Sequence, residues 1–498
     1  MLKWTGHPLV DIGVATVTCF AEKERPEDVT LEDLDGVADY ITEQYVHGGL
    51  TPYLSSVFTM NAVYTQPSWK KDVREQEARK LLRCYKEEPT SDVAGLRCAF
   101  SGEPATRLVY RQHVPMLTGE GVLNFFPAGL GGLPISGRYL LALQALPLGS
   151  RRCVGRLFAA HSPEDPDLTL RFARKFLQDN RRLMLLAEQS EEKYFDAKVP
   201  RTLLVNNLLE LERERRDSDG RSLTPSVTAY FLTNDGRDPR IDLLHLPAVT
   251  VSFLRKALSD KTRHVWKGIE LAAWQREITP KQASKKRTGQ ETISPAEDSV
   301  RASQEPNPEV SRNYLFEDLF DLPRSSPRFI RTYFLRRGYR AGRADDPRQD
   351  YSLQRDLDLI SWELTRLFLK EILSMDSKRI NAIRDLGDRI AAYIENENDR
   401  RFFQRFYMIK KYPELRNLLI KASSVLVKRG SPPLVGMDEF IDAFEDPDAP
   451  SFDNWALVRD LLLIRTIEQL HHRGWFKERL DVLETLEQEE EQALATVG

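Results

Sequence analysis

Cysteine is scarce in these 498 residues. Cys19, Cys84, Cys98 and Cys153 are too few and too scattered to build a disulfide framework, so reduced thiols are expected. Long apolar runs are missing as well: none approaches the ~20 residues that span a bilayer. The opening stretch MLKWTGHPLVDIG lacks the charged, apolar and small-residue zones of a secretory signal. A cytoplasmic protein without a membrane partner is the expectation. Charge of one sign is not in excess either, because 72 basic residues face 75 acidic ones and leave a net −3. That balance argues against indiscriminate nucleic-acid binding.

Catalytic spacings are absent in the same way. The eight histidines, His7, His47, His113, His161, His245, His264, His471 and His472, include no pair at a recognised metal-ligand spacing. There is no HExxH, no GxSxG and no nuclease-like cluster of carboxylates around a lysine. His7 and Asp11 lie four apart, but Pro8 puts His7 at a helix entrance, where a capping role is expected. His161, in FAAHSPED, reads as a helix-end residue before a turn. A non-enzymatic protein with no cofactor and no metal is the expectation.

What is present begins with a glycine-rich loop, NFFPAGLGGLPISGRYL, starting at Asn124. A Walker loop needs a lysine and a hydroxyl residue after its last glycine, whereas Leu133 and Pro134 follow Gly132. The dinucleotide pattern fails too, since Pro134 stands where its third glycine belongs. Nucleotide binding is excluded.

Periodicity divides the chain. A 41% hydrophobic content is ample for buried cores, and the length allows about three domains. Thr30 to Val46 reads as a helix opened by a capping box from Thr30 to Asp33, and Lys70 to Glu88 as a second, charged helix. Between them VFTMNAVYTQPSWKK leans towards β. Short strands are expected from Arg97 to Leu117, and SVTAYFLTNDGRDPRIDLLHL reads as a hairpin around Asn234 to Gly236. From Gln275 to Asn313 there is no aromatic residue, and that composition predicts an insertion or linker without order of its own. Beyond it, Leu353, Leu357, Ile360, Leu364, Leu367 and Ile372 form one helical stripe, and Ile380, Ile383, Leu386 and Ile390 continue the pattern. Leu415 to Lys428 and Trp455 to Leu470 complete it. The expected class is α+β: a mixed α/β N-terminal region followed by a C-terminal all-α helical bundle. Its segments are 1–165, 166–274, the insertion 275–313, an Arg/aromatic segment 314–350 and the bundle 351–498.

Charge is segregated within the neutral total. Arg324 to Arg343 carries seven arginines and no acid, interleaved with Phe329, Tyr333, Phe334 and Tyr339. Arg400 to Arg429 holds nine basic residues against the single acid Glu414, while Phe476 to Gly498 holds seven acids against two basic residues. Phosphate-backbone binding is therefore expected of Arg328, Arg331, Arg336, Arg337, Arg340, Arg400, Arg401, Arg405, Lys410 and Lys411. A solvated surface is the bland alternative.

WTGHPLVDIGVAT, SVFTMNAVYTQPSW, LNFFPAGLGGLPISGRYLLALQALPLG and AAHSPED occur in that order within the first 165 residues. Together they resemble the large subunit of type I CRISPR effector complexes, in a branch associated with type I-B and related systems. The resemblance implies a non-catalytic subunit that recognises the protospacer-adjacent motif and helps open the duplex, while guide pairing reads the sequence. The implied partners are CRISPR RNA, target double-stranded DNA, backbone and small subunits, and a helicase-nuclease or transposition proteins. Groove contacts would then fall to Asn61, Tyr64, Gln66, Asn124, Phe125, Phe126, Gly131 and Gly132, although Phe125 and Phe126 also suit a core and the glycines a plain turn. The resemblance further implies a four-thiolate zinc knuckle, of which only Cys98 remains; Ser101, Ser136 and Tyr139 fill the other positions. It also implies a small subunit made by internal initiation, with Met375 the preferred start. The competing reading is a helical adaptor whose basic face docks an acidic protein without nucleic acid.

Overall fold

The computed structural model describes residues 1–48, 50–116, 131–189, 196–218, 225–234, 239–276, 306–338, 343–444, 455–479, 481–486 and 488. The architecture is α+β, with small antiparallel sheets in the N-terminal part and helices throughout the C-terminal part. The chain forms two units: Met1–Val251 with Asn307–Val310, and Ser252–Pro306 with Ser311–Gly498.

The first unit is built around α1 (Pro8–Phe20), in which every residue from Leu9 to Cys19 is buried. A helix apolar on all sides must be enclosed. It is covered by α2 (Leu31–Thr42), α5 (Gly137–Ala145) and α6 (Pro166–Gln189). Gly13 permits the closest of these approaches, because a Cβ there would fall on the Ala142 carbonyl of α5. Helices α3 (Thr51–Val57), α4 (Lys71–Leu82) and α7 (Pro200–Ser218) complete the helical part. Strands β1 (Arg107–Val109) and β2 (Leu133–Ile135) pair antiparallel. A four-stranded antiparallel sheet runs β3 (Arg151–Cys153), β4 (Arg156–His161), β5 (Val227–Thr233), β6 (Arg240–Leu246) in spatial order. The expected hairpin is therefore present, with Val227 opposite Leu246.

The capping box at α2 is complete: Asp33 N–H donates to Thr30 Oγ1, and Thr30 N–H donates to Asp33 Oδ2. His7 caps α1, accepting from Val10 N–H. Three local expectations are corrected. His161 ends strand β4 rather than a helix, paired opposite Thr228. The stretch from Val57 is not a strand but the end of α3 followed by turns, closed by Ala62 N–H to Thr59 O and by Thr65 Oγ1 to Thr59 O. Among the described residues of the 97–117 region only Arg107–Val109 is a strand, with one isolated bridge between Arg97 and Pro104.

The second unit holds α8 (Ala248–Ala257), which begins in the first, and α9 (Arg263–Ala272). It continues through short helical turns to α10 (Trp362–Glu371), α11 (Ser377–Glu397), α12 (Arg400–Met408), α13 (Tyr412–Lys428), α14 (Met437–Phe444) and α15 (Trp455–His472). Its core is aromatic: Phe368 stacks on Phe329 at 5.2 Å and meets Phe253 and Phe334 edge-on. The single stripe expected from Leu353 to Ile372 is broken, because Ser361 caps a new helix by accepting from Leu364 N–H. The two flanks of the expected insertion are paired with each other. Gln275 N–H donates to Arg312 O and Tyr314 N–H to Ala273 O, so both flanks join one ladder, and 277–305 lies outside the described residues.

Candidate nucleic-acid interface

Helix α12 starts at Asp399, whose carboxylate accepts from Phe402 N–H. Phe402, Phe403, Phe406 and Tyr407 recur at helical spacing and are all buried. Arg401 and Arg405, one turn apart, are left on the opposite, exposed face. Exposed Lys410 and Lys411 then lead into α13, which Pro413 opens and Leu415, Leu419 and Ala422 anchor to the core. Arg416, Lys421 and Lys428 project on its exposed side. The hairpin closes on itself where Arg429 at the end of α13 pairs with Glu397, three residues before α12 begins.

None of Arg401, Arg405, Lys410, Lys411, Arg416, Lys421 and Lys428 forms an ion pair among the described residues. The surrounding cations do: Arg400 pairs with Asp481 at 2.9 Å, and Arg389 with Glu439 at 2.6 Å. Glu414, the single acid of the stretch, sits 3.4 Å from Lys410 N–H and offsets little of this charge. Arg401 in the first turn of α12 and Lys410 and Lys411 just ahead of α13 also lie at the positive ends of the helix dipoles, which raises the local potential further. Sequence reasoning did not single out Arg416, Lys421 and Lys428; their offset from Leu415, Leu419 and Ala422 was the available signal.

The Arg324 to Arg343 stretch behaves differently, and its expected phosphate role is corrected at three positions. Arg336 is 1% exposed, paired with Asp356 at 2.7 Å and laid over the Tyr351 ring at 3.5 Å. Arg331 makes two hydrogen bonds to the buried Asp460. Arg337 donates to Tyr407 O and covers that ring at 4.1 Å. Acids distant in sequence, Asp356 and Asp460, thus neutralise two arginines of the run in space. Arg328 is exposed, and Arg340 lies outside the described residues.

Of the groove set, Asn124, Phe125 and Phe126 lie outside the described residues. Asn61 is exposed and Gln66 half-buried. Tyr64 is corrected to a core residue: it is 1% exposed, wedged 5.1 Å from Tyr45 and 5.5 Å from Phe58, and burial pushes its hydroxyl pKa well up. Gly131 is open, whereas Gly132 lies under the Tyr110 ring, where a Cβ would collide. The two knuckle segments do meet, through Ala99 N–H to Pro134 O and Thr106 N–H to Ile135 O. Their side chains do not suit zinc, since Cys98 is the one thiol among hydroxyl residues.

A separate polar cluster surrounds Asp11 in the first unit. Its carboxylate accepts from Thr5 N–H at 2.7 Å, Thr5 Oγ1 at 2.8 Å and Gly6 N–H at 2.9 Å, with His161 Nε2 at 3.8 Å. Burial raises its pKa, but the interaction with His161 and these hydrogen bonds outweigh it and hold the group below the usual carboxylate range. The cluster pins the entry to α1. No helix among the described residues is long and apolar enough to cross a membrane.

Comparison with protein-family models, with curated proteins and with solved structures finds no match to this chain.

Proposed function

We propose that this chain is a non-catalytic nucleic-acid-binding subunit that holds phosphate backbone on the outer faces of α12 and α13. Following the sequence resemblance, we take the complex to be an RNA-guided type I CRISPR effector, with this chain as its large subunit beside CRISPR RNA, target DNA and the backbone and small subunits. The observation that carries the reading is the set of seven exposed cations without acidic partners among the described residues, on two consecutive helices and the link between them. Elsewhere in the same unit arginines are spent on internal acids. A solvated helix face normally mixes charges, whereas a face of one sign repels itself and is relieved by a polyanion.

The test is binding of duplex and single-stranded DNA across a salt series. In R401Q/R405Q/K410Q/K411Q, affinity falls for every sequence alike, and the slope of log K against log salt drops by about 3. Unchanged affinity at every salt concentration would make the face a solvated surface. The adaptor reading is favoured by one observation: Ile420 and Val427, 49% and 55% exposed, form an apolar strip beside these cations. It becomes the better reading if the unmodified chain binds DNA at no salt concentration.

A further inference from the structure

The four-stranded sheet of the first unit ends in β6, and no strand among the described residues pairs with its outer edge. Outside the ladder with β5, no backbone N–H or carbonyl of Arg240–Leu246 is bonded to another backbone group among them. An open edge of seven residues is a template for a further strand. Sheet edges are usually blunted by lysine, by proline or by shortness, and β6 has none of these within it. Its own charges are engaged inside the chain. Asp242 holds Arg156 at 2.8 Å and Arg240 at 3.0 Å, and His245 Nδ1 lies 2.8 Å from Thr228 Oγ1.

Side chains alternate between the two faces of the strand, and one of these faces is apolar beyond its cover. Leu157 and Ala159 of β4 and Leu232 of β5 belong to the core around α1, with Tyr230 packed against it. Ile241 stands opposite Leu232 and Leu243 opposite Tyr230, so both carry that face outward, yet they are 42% and 60% exposed.

The residues that bound the strand select what can cover it. Pro239 and Pro247 stand immediately outside Arg240–Leu246, and neither has the N–H a ladder needs. When β6 is laid antiparallel on β6 of a second copy with Leu243 opposite Leu243, Arg240 falls opposite Leu246 and Pro239 opposite Pro247. The whole strand then pairs and both prolines stay outside. Ile241 faces His245 of the other copy, and Asp242 faces Leu244. Moving the register by two residues in either direction brings a proline into the ladder, and one of those moves also sets Asp242 against Asp242. A slip of one residue sets the apolar face against the charged one. The strand is thus self-complementary in one register, as a two-fold contact requires.

We propose that this chain forms a two-fold dimer through antiparallel pairing of β6 with β6, which joins the two sheets edge to edge and covers Ile241 and Leu243 of both copies. The pairing involves no residue of α12 or α13, and it stands whether or not the basic face binds nucleic acid.

Analytical ultracentrifugation of the full chain over a dilution series tests it. The parent is expected to shift between a monomer and a species of twice its mass. L243K is expected to stay monomeric throughout, because it sets two like charges opposite each other at the axis. Leu243 is largely exposed, so the core is untouched, and an unchanged circular dichroism melt of L243K verifies this. L31K, at an exposed leucine of α2, is expected to dimerise like the parent. Disulfide trapping reads the register, and the four native cysteines are buried and give little background. Directly opposed Cα atoms lie about 4.5–5.5 Å apart, within disulfide reach. L243C is therefore expected to give a covalent dimer under mild oxidation. I241C alone is not, since its copies are four residues out of step, whereas I241C mixed with H245C is. A parent that is monomeric at every concentration, or a dimer that L243K leaves intact, overturns the pairing. Equal disulfide yields from L243C, I241C and the distant L31C overturn it as well.

Discussion

Arginine serves two ends in the second unit, and local sequence does not distinguish them. Arg336 and Arg401 both stand in acid-poor runs, yet one is enclosed with Asp356 and Tyr351 while the other is exposed and unpaired among the described residues. The difference arises from partners 15 and 20 residues away, which charge counting along the chain cannot see. R336M should therefore lower unfolding free energy by about 3–5 kcal/mol, because it leaves the Asp356 carboxylate without its counter-ion. R401Q/R405Q should stay within about 0.5 kcal/mol of the parent, as exposed substitutions do. Urea denaturation of the three proteins checks both. Similar losses for R336M and R401Q/R405Q would mean that the α12 face is structural. Tyr64 has the same lesson in an aromatic: its residue type suits a groove contact, and only the closure of Tyr45 and Phe58 around it makes it core.

At the scale of elements, local chemistry was legible where the deciding atoms lie close in sequence. The Thr30 to Asp33 box, the His7 cap and the β5–β6 hairpin each depend on neighbours within a few residues. The 57–64 stretch carries β-type residues but is held in turns by Thr59 and Thr65, and the apolar stripe from Leu353 continues across a break that Ser361 creates. Periodicity reports which residues are buried, not whether the backbone is continuous. Ties between elements were not legible at all. His113 is one: its Nδ1 accepts from Tyr110 N–H just after β1, and its carbonyl accepts from Gln144 of α5. Burial, helped by the nearby Arg107 charge, lowers its pKa to about 4. The folded state thus binds the proton more weakly than the unfolded state, whose histidine titrates near 6.5. This contribution is intact above about pH 6.5, is lost as pH falls towards 4, and amounts to about 3 kcal/mol when complete. Urea midpoints measured between pH 7 and pH 4 should fall more steeply for the parent than for H113Q. Parallel curves would show that His113 is not held neutral.

Over the whole molecule, the helices of the basic face belong to a bundle that depends on elements preceding it in the chain, which bears on whether residues 375–498 form a separate small subunit. The boundary itself is well made. Met375 lies in the loop between α10 and α11, and Asp376 caps α11 by accepting from Lys378 and Arg379 N–H. A product starting there would keep α11 packed on α15, with Arg465 held by Asp388 and Glu468. It would lose the partners that satisfy α15 from upstream. Asp460, 1% exposed, would keep Arg459 but lose Arg331, and Glu468 would lose the Trp362 N–H it accepts from. Removing the residues before Met375 also uncovers apolar side chains on α15 that α10 and the 330–334 turn cover. An uncovered patch of that kind favours association over a stable monomer. We therefore expect 375–498, expressed alone with a C-terminal tag, to be insoluble or to associate, and to become soluble when co-expressed with residues 252–374. Size-exclusion chromatography of both preparations decides the point. A monodisperse, cooperatively unfolding 375–498 fragment would show that α11 to α15 suffice by themselves, and the buried Asp460 pairing would then be dispensable for the basic face.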